Sequence, residues 1–534
     1  MRTSLLIPRG ATRVLINVAI EKRIIEMDNY DYIVIGAGSA GCVVANRLSE
    51  DPKTKVLLLE TGNPDTKPEI QIPLECTRLP GTEVDWGYFS EPEPYLNNRQ
   101  IYCPRGKVLG GSSAINFLLY TRGNHDDYDR WQELGNFGWS YRDLLPYFKK
   151  SEHQQRGADA YHGVDGPLSV TDVLDPAPIS QRFIDAAVAL GYQQNPDFNG
   201  ARQEGAGYFQ FTVKDGKRRS AAAAFLLPIL QRPNLTTITG ASVTKLLFED
   251  TRTVGVEYLQ EGKLLTVKVN SEVILSAGSF DSPKLLMLSG IGDRKCLESL
   301  NIPVVVDLPG VGQNLQDHIL VPVSYEATQD LDAKTTSNGI AETGLFMHSQ
   351  DNRSTAPDLE LVFGPILYAP PGYSNSGIGF TGLVVLNHPH NIGSVNLRSP
   401  DPKDTPMIRL NYLQNKSDVQ KLIEGIRLMR KLFERSVFDE FRGREVAPGG
   451  SVTSDEALDT YIRSTCGTVY HPVGTCKMGS DSMSVVDTQL RVRGVEGLRV
   501  VDASIMPTII TGHTNAPTIA LGEKAADLIK TTTY

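Results

Sequence analysis

His471 is a side chain in this sequence that could remove a proton from a substrate near neutral pH. A neutral imidazole can take the proton of a hydroxyl group while a hydride leaves the adjacent carbon, because its pKa lies close to working pH. The residue lies in the run Tyr-His-Pro-Val-Gly-Thr that begins at Tyr470. A histidine considered alone is more often a hydrogen-bonded structural residue. The residue type therefore leaves a catalytic and a structural interpretation open.

A second segment could bind a ligand that contains a pyrophosphate. The β-branched run from Tyr30 to Ile35 leads into a Gly-x-Gly-x-x-Gly sequence formed by Gly36, Gly38 and Gly41, and small residues follow. The first glycine allows the tight turn, the second lets the backbone approach a pyrophosphate, and the third lets a helix pack close to the sheet. The alternative is a glycine-rich turn that binds nothing.

The residues that follow complete the pattern of a dinucleotide site. Lys55 to Leu59 reads as a second strand, and it ends on Glu60, which is placed to accept hydrogen bonds from ribose hydroxyls. The N-terminus of the intervening helix offers free N–H groups and positive partial charge to phosphates. The sequence therefore predicts a βαβ unit over roughly residues 30–62 that binds a dinucleotide.

Other segments predict the elements that must position these residues. Alternation predicts a small antiparallel layer from residues 235–239, 243–248, 255–258 and 267–269, and a buried strand over 272–278. Residues 319–326, 358–368, 378–388 and 392–398 fit a second antiparallel sheet. Residues 124–150 and 413–438 read as helical, and the chain returns to strand, loop and helix after Leu498.

Several further motifs occur in a fixed order and identify a family. They are Gly106 to Asn116 (GKVLGGSSAIN), Gly278 to Pro283 (GSFDSP), Leu308 to His318 (LPGVGQNLQDH), Tyr470 to Gly479 (YHPVGTCKMG), Val501 to Ser504 (VDAS) and Gly512 to Thr518 (GHTNAPT). Together with the glycine-rich turn they resemble the glucose–methanol–choline (GMC) family of FAD-dependent oxidoreductases. The resemblance runs from about residue 28 to the C-terminus and is greatest to the choline-dehydrogenase-like branch.

The resemblance implies an α/β fold, with a Rossmann-like FAD-binding domain and an inserted substrate domain built on an antiparallel sheet flanked by helices. It implies that residues 29–160, 230–318 and 465–534 form the FAD-binding domain, and that 161–229 and 319–464 form the substrate-binding domain. Residues 1–28 are an N-terminal extension. The residues expected to hold FAD are Gly36, Gly38, Ser39, Ala40, Gly41, Glu60, Gly110, Gly111, Ser112, Asn116, Val243, Asp502 and Ala503.

The resemblance also bears on how the cofactor is held. Some family members attach the flavin covalently through a histidine just before the asparagine that matches Asn116. Ile115 stands at that position here, so we expect noncovalent FAD. Two adjacent glycines in the same segment make physical sense, because a flat ring system can be approached closely only by backbone without side chains.

For catalysis the resemblance favours His471 as the general base. The family places a histidine or asparagine roughly fourteen residues before an acidic or polar position in the last helix, and counting back from Asp527 reaches His513. Asn515 is the alternative for this second role, if the alignment is displaced by two residues. His318 closes a family motif and is expected to serve structure.

The expected activity is oxidation of a primary alcohol to the aldehyde, with hydride transfer to flavin N5 and a histidine base. Electrons would then pass to oxygen or to another, quinone-like acceptor. The alternatives are a lyase or light-driven decarboxylase on the same fold, or a flavin-holding protein without turnover. A quaternary ammonium substrate would favour an acid and aromatic faces. Glu360, with Tyr368 nearby, is the weak candidate, since a solvent-facing glutamate on an amphipathic strand is the commoner explanation.

Composition excludes several classes of protein. The net charge of −9 argues against a nucleic-acid partner, and no apolar run is long enough for a transmembrane segment. The six cysteines show no CxxC and are interpreted as reduced, and no Cys/His cluster has metal spacing. The protein is therefore expected in the cytoplasm without a metal. Residues 1–28 are interpreted as an over-extended start, with an organelle transit peptide as the alternative. The oligomeric state is left open.

Overall fold

The computed structural model describes residues 29–332, 339–349, 356–374 and 376–531. The transit-peptide alternative concerns residues 1–28, which lie outside the described residues. In the described part of the chain, no helix has the length and apolar character needed to cross a membrane.

A seven-stranded sheet carries the glycine-rich turn. Tyr30–Ile35 lies between Val56–Leu59 and Lys263–Leu275, and it runs parallel to both. The central strand is buried because Ile33 and Val34 are fully covered, as expected for a parallel sheet with helices on its faces. The remaining strands of this sheet are Leu235–Ile238, Ala241–Glu249, Arg252–Gln260 and Leu498–Val500.

One long strand joins the parallel and antiparallel parts of this sheet. The first half of Lys263–Leu275 pairs antiparallel with Arg252–Gln260, and the second half pairs parallel with Tyr30–Ile35. The separate strands predicted at 267–269 and 272–278 are therefore one element. The prediction for 235–239 was wrong in one respect, because Leu235–Ile238 pairs parallel with Val56–Leu59 and lies outside the antiparallel layer.

A second seven-stranded sheet lies apart from the first, and its main path is antiparallel. Its core packs against the helix Lys416–Phe433, whose buried face carries Leu422, Ile426 and Met429. In order, its strands are Arg442–Ala447, Ile319–Ala327, Gly379–Leu386, Leu359–Gly364, Thr343–Met347 and Gly205–Tyr208, with Gly467–Thr468 also paired to Ile319–Ala327.

The prediction that residues 392–398 join this second sheet was wrong. Ser394–Asn396 pairs with Met407–Arg409 in a separate two-stranded sheet. Alternation indicated a strand correctly, but it cannot indicate which partner the strand takes.

The other elements complete the frame. The predicted helical region 124–150 is two helices, each with a side-chain capping box at its start. The helices are Ser39–Leu48, Pro68–Gln71, His125–Glu133, Tyr141–Ser151, Pro178–Ala189, Gly278–Leu288, Arg294–Ser299, Lys416–Phe433, Asp455–Thr465 and Asn515–Lys530. The short strands are Tyr88–Phe89, Tyr102–Cys103, Leu119–Tyr120, Glu152–Gln154, Leu168–Asp172, Gln210–Phe211, Val213–Lys214, Lys217–Arg218, Ile291–Gly292 and Val306–Asp307.

Candidate active site

A single cavity of about 550 Å³ connects the glycine-rich turn to the two histidines singled out in the sequence. Its wall includes Gly36 and Gly38 of the turn, and also His471 and His513. The sequence places these residues more than four hundred positions apart, and the two segments come together because Leu498–Val500 returns to the first sheet. The cavity therefore brings the predicted cofactor site and the predicted catalytic residues together.

The glycine-rich turn leaves space for a ligand. Gly36 has a φ of +95°, a conformation that favours glycine. Gly38 has extended backbone, and a Cβ placed there would meet no atom within 4 Å. Glycine at position 38 is thus not required by the protein's own packing, and the open space beside it is available to a phosphate group.

The start of the first helix offers unsatisfied donors to that space. Ser39–Leu48 begins after Gly38 without a side-chain cap and without an acid in its first turn. The Ser276 hydroxyl is also buried without a hydrogen-bond partner, and Ser276 lines the same cavity. Free helix N–H groups together with an unpartnered buried hydroxyl fit a bound pyrophosphate.

Glu60 lies at the end of the second strand and lines the cavity. Its two carboxylate oxygens accept hydrogen bonds from the backbone N–H groups of Ala37 and Gly62, each at 2.8 Å. Burial raises the pKa of Glu60 to about 7, although these two N–H groups favour the charged form. The carboxyl group therefore anchors the turn, and its remaining lone pairs are available to ribose hydroxyls.

The Gly110–Asn116 segment packs directly on the glycine-rich turn. The Gly110 N–H donates to the Ala37 carbonyl at 2.8 Å. A Cβ on Gly111 would lie 2.7 Å from the Gly38 Cα, so a side chain there would separate the two segments. Ser112 lines the cavity, and the Asn116 side chain accepts from Arg218 at 2.7 Å. Ile115 is 7% exposed and offers no nucleophile for a covalent attachment.

Most of the remaining predicted cofactor residues also lie on the cavity wall, whereas Gly41 and Gly110 do not. Val243 is in the strand Ala241–Glu249, while Ala40, Asp502 and Ala503 line other parts. The Asp502 carboxylate accepts from the Gly278 N–H and from the Ser282 hydroxyl, at 2.9 and 2.6 Å. Gly41 lies beneath the turn, where an added Cβ would come within 1.9 Å of the Gly36 carbonyl.

His471 is held from its backbone and from one ring nitrogen. Its N–H donates to Asp317 at 2.8 Å, and its Nδ1 lies 2.9 Å from Nδ1 of His318. Nε2 is the ring nitrogen left for the cavity. Burial holds the pKa of His471 well below its usual value, and the nearby His513, His318 and Arg105 lower it further. The imidazole is therefore neutral at neutral pH, which is the form that accepts a proton.

Sequence reasoning missed the contact between His318 and His471. His318 is fully buried, and burial lowers its pKa to about 3, so it is also neutral. The signal for this contact was weak: His318 ends one motif and His471 belongs to another, 153 positions along the chain. Arg105 was also missed, although it immediately precedes the Gly106–Asn116 segment. It lines the cavity, and its guanidinium donates to the Tyr470 carbonyl at 2.7 Å.

The His513 ring packs against the His471 ring, and both residues line the cavity. The two ring centroids are 5.0 Å apart and the rings are nearly perpendicular, at 89°. The backbone N–H of His513 donates to the Thr121 hydroxyl at 2.8 Å, and the edge of Phe209 packs against the ring. This is a separation at which one substrate oxygen could contact both rings.

Glu360 is buried, although the sequence favoured a solvent-facing position for it. It is 1% exposed, so the solvent-facing interpretation was wrong. Its strand Leu359–Gly364 is buried along its whole length, between two other strands of the second sheet. One carboxylate oxygen lies 3.3 Å from Nε2 of His513, close enough for electrostatic interaction although the two atoms do not meet the geometry of a hydrogen bond.

Asn515 points in a different direction from His513. Its side-chain oxygen accepts from the Ser39 hydroxyl at 2.7 Å, which ties the start of the last helix to the start of the first. Asn515 still lines the cavity, but its contact is with the segment expected to hold the cofactor.

Within the ranges that the structure describes, no group of three or more His, Cys, Asp or Glu side chains could hold a metal ion.

Known proteins resemble this chain over most of its length. Two family models, both described as GMC oxidoreductase, match residues 30–320 and 389–522. The chain is 44% identical to an oxygen-dependent choline dehydrogenase of Sinorhizobium fredii over 93% of its own length and 95% of that protein. It is 43% identical to an alcohol dehydrogenase (acceptor) of Pseudomonas putida, over 94% and 95%.

A solved structure is similar over nearly the whole chain. Pyridoxine 4-oxidase, from an organism given as Mesorbium loti, superposes with a TM-score of 0.91 at 32% identity, covering 95% of this chain and 100% of that one.

Proposed function

This chain belongs to the GMC oxidoreductase family, and from that premise we propose that it oxidises a primary alcohol to the aldehyde with FAD as cofactor. The family implies FAD and action on CH–OH donors. The observation that carries the finer proposal is that His471 and His513 face each other at 5.0 Å within the cavity that also reaches the glycine-rich turn.

The residues that would hold FAD are those that line the cavity from the turn onward. The helix N-terminus after Gly38 and the Ser276 hydroxyl would bind the pyrophosphate, Glu60 a ribose, and the strand around Val243 the adenine. The Gly110–Asn116 segment and Asp502 would contact the rest. When bound, the cofactor supplies the hydride acceptor that no protein side chain can provide. Ile115 supports noncovalent binding.

His471 would take the hydroxyl proton at Nε2. Its Nδ1 faces His318, and burial keeps the ring neutral. Removing this proton raises electron density on the oxygen and so assists departure of hydride from the adjacent carbon. The Asp317 contact to the backbone of His471 fixes where the ring sits.

His513 would hold the same substrate oxygen from its place beside His471. Its backbone is anchored through Thr121, and its Nε2 lies 3.3 Å from the Glu360 carboxylate. The pair thus orients the alcohol between two imidazoles. Electrons would leave to oxygen or to another acceptor in a later step.

The domain assignment is part of this proposal. The strands of the first sheet fall within residues 29–160, 230–318 and 465–534, which we assign to FAD binding. Most strands of the second sheet fall within 161–229 and 319–464, which we assign to substrate binding; Gly467–Thr468 is the exception.

Anaerobic mixing with a panel of primary alcohols tests the proposed function. We expect the alcohol to reduce the flavin on the order of seconds or faster. The absorbance of oxidised flavin at about 450 nm should fall, and the aldehyde should form. Purified holoprotein whose flavin is not reduced by any primary alcohol would contradict the proposal. Light-dependent release of CO₂ from a fatty acid would favour the decarboxylase alternative instead.

A further inference from the structure

The wall of the cavity beside the histidines is apolar. Phe117, Leu118, Leu119 and Val469 line it, together with Tyr470. The rings of Phe117 and Tyr470 are 6.0 Å apart and tilted by 40°. Burying the apolar body of a substrate against such side chains stabilises the complex by roughly 25 cal/mol per Å² removed from water.

The charge on this wall is positive. Arg105 lines the cavity, donates to the Tyr470 carbonyl at 2.7 Å, and lowers the pKa of His471 through its charge. A cationic substrate at His471 would meet the same repulsion that disfavours a protonated imidazole there.

The carboxylates on the cavity wall lie elsewhere. In the described part of the chain, the acidic side chains that line the cavity are Glu60, Asp281 and Asp502. Glu60 accepts from the glycine-rich turn and Asp502 from Gly278 and Ser282, which belong to the expected cofactor site, whereas Asp281 accepts from the Tyr88 hydroxyl. None of these bonds places an acid beside Phe117 or Tyr470.

Two further carboxylates lie behind the wall. Asp317 is 1% exposed and accepts from the Thr468 and Tyr412 hydroxyls and from the His471 N–H, so it offsets part of the Arg105 charge without reaching the cavity. Glu360, also 1% exposed, lies beside His513 and does not line the cavity. Neither carboxylate is part of the apolar wall around Phe117 and Tyr470.

We infer that the alcohol oxidised here is uncharged and has an apolar body, and is not a quaternary ammonium alcohol. The inference rests on the proposed function and narrows its substrate class. Taking a cation out of water without a paired carboxylate is costly, whereas an apolar group of the same shape gains from burial. The named activity of one similar protein, choline dehydrogenase, thus does not transfer to this chain on the strength of overall identity.

A matched pair of substrates tests this directly. Choline and 3,3-dimethyl-1-butanol have the same shape, with a quaternary carbon in the second where the first has the charged nitrogen. Each is mixed anaerobically with the FAD-containing enzyme, and the limiting rate of flavin reduction and the apparent Kd are measured separately. We expect the ratio of rate to Kd to be at least about tenfold higher for the neutral alcohol, with most of the difference in Kd, because the unpaired charge is penalised on binding.

The outcomes separate the two proposals. Choline equal to or better than its neutral isostere would overturn this inference and leave alcohol oxidation standing. Reduction by the isostere or by 1-hexanol, with choline weak, supports it. Failure of choline, the isostere, 1-hexanol and benzyl alcohol alike would contradict the proposed function itself.

A variant pair tests the physical cause. Val469 lines the apolar wall, and V469E would supply the missing carboxylate, while V469Q changes size and polarity without charge. We expect V469E to shift the preference toward choline by at least about tenfold relative to V469Q, because only the glutamate can pair with the ammonium. Equal shifts in both variants would show that charge does not decide the preference. If V469E fails to fold, the wild-type comparison still decides the inference.

Discussion

Nδ1 of His318 lies 2.9 Å from Nδ1 of His471, and the two rings meet at 86°. Two neutral imidazoles at this distance share one proton, so one ring donates and the other accepts. The backbone of Ile510 and of Asn387 favours the protonated form of His318, whose Nε2 makes no full hydrogen bond. We expect His318 Nδ1 to accept and His471 Nδ1 to donate. The unprotonated nitrogen of His471 is then Nε2, as a base facing the cavity requires.

We expect H318L to slow flavin reduction by alcohol about tenfold or more, since losing one neutral hydrogen bond of about 1–1.5 kcal/mol frees the His471 tautomer and ring orientation. H318N keeps an acceptor and should recover part of the rate. The measurement is the limiting rate of anaerobic reduction across pH, at unchanged flavin content. Equal rates in H318L and H318N would mean that His318 only fills space.

Removing the base itself should cost more. H471A should bind FAD but reduce it about a hundred- to ten-thousand-fold more slowly, the usual loss for a general base. Because burial lowers the pKa of His471, the wild-type rate should rise with pH at an apparent pKa below the ordinary histidine value and be flat near neutral pH. Stopped-flow absorbance against pH checks both points. A wild-type rate in H471A would place the base elsewhere.

Variants of His513 and Asn515 show which of the two residues assists His471 in holding the substrate oxygen. H513A should slow reduction, and H513N less so, because the amide can still hold the substrate oxygen. N515A should lose FAD affinity more than rate, since its side chain is tied to Ser39 at the helix start. The double variant H471A/H513A should be less than additive, because both rings act on one oxygen. If N515A matches H471A in rate while H513A is silent, the roles are exchanged.

A substitution at Gly38 should affect FAD binding without affecting folding. Its backbone is extended and its missing side chain would meet open space, so valine is compatible with the protein. We therefore expect G38V to fold but to lose FAD, because the side chain would occupy the space of the pyrophosphate. The matched control is G450V, at an exposed glycine that also has open space around its Cβ. Flavin content is measured after desalting as the ratio of absorbance at about 450 nm to that at about 280 nm, with about 1 h allowed for slow conformational steps. Full retention of flavin in G38V would mean that the turn does not bind the cofactor.

The parts predicted well from sequence are those whose signal is local. The turn at Gly36, the first helix and the strand ending at Glu60 are contiguous, so spacing alone defines them. The strand over 358–368 was also found, but the sequence Leu-Glu-Leu-Val-Phe cannot reveal that both faces are covered. That depends on Thr343–Met347 and Gly379–Leu386 flanking it, and so the burial of Glu360 could not be predicted.

The contacts that position the histidines depend on distant parts of the chain. Thr121 holds His513 across 392 positions, and Ser39 holds Asn515 across 476. A family motif can nominate His471 and His513, but it cannot choose between His513 and Asn515 when both are polar and two residues apart. The direction of each side chain depends on the helix that begins at Asn515, and only the structure gives it.

A buried charged cluster whose residues do not line the cavity gives a last prediction, on stability. His162 is 4% exposed and contacts Glu152 and Asp197, and the Arg122 guanidinium, which pairs with Glu152, lies 3.4 Å from Nδ1 of His162. Burial alone would lower the pKa of His162, but hydrogen bonds to Asp197 and Glu152 outweigh it and raise the pKa to about 9. An unfolded histidine titrates near 6.5, at about its model-peptide value. The folded state therefore binds the extra proton more tightly.

Because the pKa of His162 is higher in the folded state than in the unfolded state, the protonated histidine stabilises the fold. The stabilisation is fully present below about pH 6.5 and is lost as the pH rises through about 9, by an amount on the order of 3 kcal/mol. We expect the free energy of unfolding in urea to fall between about pH 6 and about pH 9.5, and the fall to be much smaller in H162Q. H153Q is the control, because His153 is exposed and contacts the Val164 carbonyl. An unchanged pH dependence in H162Q would show that the cluster is held by Arg122 and Glu152 without a charged histidine.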